Sequence, residues 1–199
     1  MNSISMQTIS LVFFLLAACV LSQTTPASAQ RRDYMTDAEI ELVRDAQDID
    51  DRIDVLTKMI DRRFTVLGIE VGGWKHPQKE SDKWGENPSG SRLDVLSDIK
   101  KLLQKAIDDI DNIAAHPGAA PVRDKDEKSA KQAKKDAARF PNAVRNLAQA
   151  ARRYLPALKH ALNGTSEPKE KGQILDSIEF CDQIIQAAEK LPGERRKDS

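Results

Sequence analysis

Any chemistry in this chain of 199 residues has to come from three histidines, two cysteines, two tryptophans and an abundance of charge. The histidines are His76, His116 and His160, and the cysteines are Cys19 and Cys181. Covalent haem attachment requires Cys-x-x-Cys-His, a di-iron bundle requires paired Glu-x-x-His, and a zinc protease requires His-Glu-x-x-His. None of the three occurs. Asp48, Asp50, Asp51 and Asp54 crowd together as in a calcium loop but lack its central glycine and terminal glutamate. His76 and His116 lie among Pro and Gly, and His160 falls on the polar side of its helix. Met59 could supply a sulfur ligand to a non-covalent haem, but these histidine positions make a Met–His ligand pair an unexpected reading. A Gly-x-Ser-x-Gly elbow and a phosphate-cradling glycine loop are also missing. Cys181 follows Ile178 by three residues and precedes Ile185 by four, which is the position of a buried small hydrophobe rather than of an activated thiol. No catalytic, metal or cofactor site is therefore expected, and the chain is not expected to be an enzyme.

Charge carries more information than these residue types. Lys plus Arg and Asp plus Glu both total 31, so the formal net charge is zero, and none of the 62 falls in residues 1–30. That balance, with only two cysteines, excludes a disulfide scaffold, a polytopic membrane protein and a globally basic nucleic-acid binder. The neutrality is a sum of opposites. Residues 33–61 hold ten acids and three bases, whereas 128–160 hold nine bases and one acid. At 100° per residue, Lys131, Lys134, Lys135, Arg139, Arg145, Arg152, Arg153 and Lys159 fall on the side away from Phe140, Leu147, Ala151 and Leu158, if Pro141 does not reset the phase. Two readings are open. The acidic and basic segments flank each other inside the fold, or the basic face meets an acidic protein, an anionic lipid headgroup or another polyanion.

These residues must be positioned by helices. Thr36-Asp37-Ala38-Glu39 matches a capping box. Ile49, Ile53, Leu56, Ile60, Phe64 and Leu67 keep helical spacing, widened by Val55, Met59 and Val66 so that this helix is buried on more than one side. Whether residues 37–47 continue into it is open. A second stripe, Leu96, Ile99, Leu103, Ile107, Ile110 and Ile113, follows Ser91 as N-cap and stops at His116-Pro117-Gly118. A third pattern spans 124–162, with Pro141 as a restart or a kink and Pro156 as a kink, and closes at Asn163-Gly164. The last helix runs from between Ser166 and Gly172 to about Leu191. No segment alternates with period two. The fold class expected is all-α, an antiparallel bundle of four principal helices spanning 36–192, with a flexible lead-in at 30–35 and a charged tail at 193–199.

One connection is long. Residues 72–91 carry four glycines, two prolines, Trp74 and Trp84, where helix-to-helix links usually take about 2–8 residues. Either the tryptophans lid one end of the bundle, or they form an exposed recognition loop or the lid of a small-ligand site.

Residues 9–21 form an apolar run too short to span a bilayer, and Ala27-Ser28-Ala29 supplies small residues at −3 and −1. This predicts a signal peptide over 1–29 and an exported, periplasmic or secreted, protein. The alternative is a lipoprotein signal over 1–18, read from Leu16-Ala17-Ala18-Cys19, with a lipidated Cys19 tethered at the outer membrane. The segment Asp33-Tyr34-Met35-Thr36-Asp37-Ala38-Glu39-Ile40, with Arg44-Asp45-Ala46-Gln47 and Asp51-Arg52-Ile53, resembles the start of a family of secreted all-helical proteins from soil bacteria. The resemblance extends over most of 33–191 and implies a helical exported protein, with no activity or site residue attached to it.

Overall fold

The computed structural model describes residues 32–73, 81–116 and 129–191, with side chains from 136 onward in the last of these. The signal segment with Cys19, Trp74, His76, the Pro117–Pro121 link and the tail after Leu191 lie outside the described residues, as do the side chains of Lys131, Lys134 and Lys135.

Six helices and no strand occur among the described residues, as the periodicity predicts. Helix α1, Asp37–Asp45, begins at the expected capping box: Thr36 Oγ1 accepts from the Glu39 amide at 3.3 Å, and Glu39 Oε2 accepts from the Thr36 amide at 3.0 Å. It ends at Ala46, and α2, Ile49–Val66, starts separately after Asp48. Tyr34 and Met35, expected in a frayed lead-in, are packed against the core, and Met35 is buried. Within the long connection a single turn, α3, covers Ser81–Trp84. Helix α4, Arg92–Ala115, starts from a second capping box in which Ser91 and Asp94 exchange hydrogen bonds.

Helix α5, Ser129–Gly164, runs unbroken through both Pro141 and Pro156. Each proline removes an amide donor and crowds the preceding turn. The helix persists because its apolar face, from Ala143 through Leu147, Ala151 and Tyr154 to Leu158, is fully packed on both sides of Pro156. Gly164 belongs to the helix and does not adopt a left-handed cap. Helix α6, Pro168–Glu189, opens with a proline at a first-turn position, where the missing amide donor is harmless.

Contacts between side chains fix the directions. Arg92 meets Glu170 and Lys100 meets Asp176, so α4 and α6 run parallel. Asp50 meets Arg139 and Asp61 meets Arg153, so α2 and α5 also run parallel. The three residues between α5 and α6 force those two to be antiparallel. Direction thus alternates along the chain. In space α2 and α6 each pack between α4 and α5, with α2 opposite α6 and α4 opposite α5. The core is aliphatic and alanine-rich, with Phe64 stacked on Tyr154 at a centroid distance of 5.1 Å.

Candidate functional site

Because α5 does not break, its described basic residues form two rows related to one apolar face. The first row, Arg139 and Arg153, leans toward α2. Arg139 is 8% exposed and reaches Asp50 at 2.6 Å and Asp48 at 2.8 Å, with Asp136 at 3.2 Å and Asp51 at 3.8 Å. Burial alone lowers a guanidinium pKa, but hydrogen bonds to Asp50 and Asp136 and the charges of Asp50 and Asp48 outweigh it and raise that of Arg139. Arg153 donates to the Gly72 carbonyl at 2.7 Å and to Asp61 Oδ1 at 3.3 Å, and its guanidinium lies 5.3 Å from the Tyr154 ring centroid. Gly72 and Gly73, at φ 67° and 86°, let the backbone turn over this guanidinium in a conformation that other residues rarely adopt. Both arginines were expected on the side facing away from the apolar stripe. The structure corrects this: α5 packs against α2 as well as α6, so the flank of its stripe is an interface.

Asp61 is 4% exposed and also accepts from the Tyr154 hydroxyl at 2.8 Å. Burial, and then the Asp61 charge, push the Tyr154 phenol well above its ordinary range. The two charged segments of opposite sign are therefore joined inside the fold at Arg139 and Arg153.

The second row is Arg145, Arg152 and Lys159, at seven-residue spacing over about 21 Å of helix. Arg145 is half-buried, and Arg152 and Lys159 are exposed. The structure brings these three onto one face, and separates them from Arg139 and Arg153.

Trp84 is not an exposed anchor. It is 3% exposed, its carbonyl accepts from Arg62 Nη1 at 3.2 Å, and the Arg62 guanidinium lies 5.5 Å from its ring centroid. Arg62 also donates to the Glu86 carbonyl at 2.8 Å and to Glu39 Oε1 at 2.6 Å. Glu39 accepts as well from both terminal nitrogens of Arg63, which donates further to the Tyr34 carbonyl at 2.7 Å and has Asp98 at 3.8 Å. The four charged side chains, Glu39, Arg62, Arg63 and Asp98, are each at most 3% exposed. Burial lowers the Arg62 pKa, the Glu39 charge opposes that shift, and Arg63 reinforces it. This cluster clamps α1, α3 and the loop after it onto the end of α2. Sequence reasoning missed it, although one signal was present: Asp61-Arg62-Arg63 sits between Ile60 and Phe64 in a helix whose apolar positions already run round more than one side.

Elsewhere, His160 is exposed, and the exposed His116 ring Nδ1 is 3.0 Å from the Asn112 carbonyl oxygen. Cys181 is fully buried, and burial, with Asp182 adding to it, pushes its thiol up to about 12. No group of three or more metal-ligating side chains converges among the described residues. No family model matches the chain, and no curated protein or solved structure does either.

Proposed function

We propose that this chain is an exported, non-catalytic helical module that binds an anionic partner in the cell envelope through the outer row of α5. The observation that carries the reading is the division of the basic residues. Arg139 and Arg153 are taken up by carboxylates and carbonyls of the fold, whereas Arg152 and Lys159 stand exposed on the same helix. Cations at fixed spacing on one face concentrate positive potential without requiring net positive charge. Export is supported by the apolar run at residues 9–21 and the small-residue site that follows it, and the partner class by charge sign.

The test is retention of the purified chain on heparin and on vesicles containing anionic lipid, as a function of salt. Binding that weakens steeply with ionic strength, and that Arg152→Glu with Lys159→Glu abolishes, is expected. Absence of retention on both surfaces at low ionic strength sinks the reading.

A further inference from the structure

The two ends of the helical core are closed differently. One is covered by α1, α3 and the buried charge clamp. Toward the other, α4 and α6 part. Their seam is bridged by Arg92–Glu170 and Lys100–Asp176 in its first half, and beyond these it opens into a groove of about 210 Å³. Ile107 and Ile110 of α4, Val144 and Leu147 of α5, and Ile184 and Ala187 of α6 form its walls, with Asp111 and Gln183 as the polar lining. Ile107 and Ile110 continue the α4 core stripe yet remain only half-buried, because α4 and α5 lie diagonally across the bundle there. An apolar cavity of about 150 Å³ suffices to hold benzene, so the volume suits one ring or a short alkyl group.

The charge around the groove selects what that apolar group carries. Since α4 and α6 are parallel, both present their negative C-terminal ends toward this side, and neither has a basic residue in its last turn. Asp109 is held by Lys105 at 2.9 Å and Asp108 by Gln104 at 2.7 Å, whereas Asp111, at the groove, has no such partner among the described residues. The cation that follows on α6 is Lys190, at its C-cap.

We infer that this groove is a binding site for a small amphipathic amine, its apolar group among Ile107, Ile110, Val144, Leu147 and Ile184 and its ammonium on the Asp111 carboxylate. The site is independent of the basic row of α5 and of the tryptophan loop.

Three probes of one shape separate the contributions: phenethylammonium, 2-phenylethanol and 3-phenylpropionate, titrated into the chain with NMR observation of its isoleucine and valine methyl groups. Saturable shifts at Ile107, Ile110, Val144 and Ile184, tightest for the ammonium, are expected. Asp111, an exposed residue, forms at most an exposed ion pair, so Asp111→Asn is expected to weaken the ammonium about two- to fivefold and to leave the alcohol unchanged. Ala187→Phe, at an exposed position, fills the groove and abolishes binding while the helical circular-dichroism spectrum is retained. Equal or tighter binding of the alcohol or the carboxylate overturns the assignment of the headgroup. Shifts confined to other residues, undiminished binding by Ala187→Phe, or no saturable shift by any probe overturns the site.

Discussion

At the residue scale, the most consequential side chain is Glu39, which both caps α1 and pairs with two buried arginines. Its removal leaves Arg62 and Arg63 opposite Asp98 alone. Breaking a buried pair from one side typically costs about 3–5 kcal/mol, so Glu39→Gln is expected to lower the unfolding free energy in urea by that amount. Glu41→Gln, two residues away in an exposed pair with Arg44, should change it by no more than about 0.5 kcal/mol. Similar losses for both variants would contradict the clamp. Cys181 provides a second measurement. Its thiol titrates near 12 in the fold against 9.0 ordinarily, so between these values the unfolded chain loses a proton that the folded chain keeps. Stability is thus full below pH 9 and falls as pH rises above it, by up to about 1.4 kcal/mol per pH unit for this group. The raised Tyr154 phenol adds to the fall above pH 10. Cys181→Ala should flatten the slope just above pH 9, and an unchanged slope there would show that the thiol is not the group responsible. The burial of Cys181 was legible from its place on an apolar stripe. The burial of Arg62, Arg63 and Asp98 was not, because a charged side chain is buried only by virtue of a partner, and Glu39 and the Glu86 carbonyl are more than twenty residues from Arg62 along the chain.

At the scale of the element, local signals and long-range packing had different reach. The capping box at Thr36, the N-cap at Ser91 and the α4 stripe follow from spacing alone, and the structure has them where the sequence places them. The fate of α5 at its prolines could not be read locally, since the outcome turns on whether packing on both sides outweighs the lost hydrogen bond. It does, and that leaves an unmade backbone hydrogen bond as a removable defect. Pro156 is exposed, so Pro156→Ala restores a donor without disturbing the core and should raise stability by about 1–3 kcal/mol. A loss of stability in thermal or urea unfolding would mean that the proline is needed for the path of the helix. The break between α1 and α2 was equally undecidable from sequence: Arg52 donates to the Ala46 carbonyl at 2.9 Å and secures a corner that no turn motif announces.

For the whole molecule, neutrality is an arrangement rather than a lack of character. The acidic residues of α2 and the basic residues of α5 are distant in sequence but lie side by side, because α2 and α5 are parallel neighbours. That parallel pairing depends on how the chain crosses from α4 to α5, which hydrophobic periodicity does not specify, so only the alternatives of internal pairing and external binding were legible. In the structure Arg139 and Arg153 are held by carboxylates of α2, whereas Arg152 and Lys159 lie on the surface. The central claim, that one helix carries a structural row and a binding row, is tested most directly by comparing two double charge reversals for unfolding free energy and for low-salt retention on an anionic surface. Arg139→Glu with Arg153→Glu should sharply lower stability, while Arg152→Glu with Lys159→Glu should leave stability within about 0.5 kcal/mol and abolish retention. Retention that survives reversal of Arg152 and Lys159, or stability that is equally reduced by both pairs, would contradict the account.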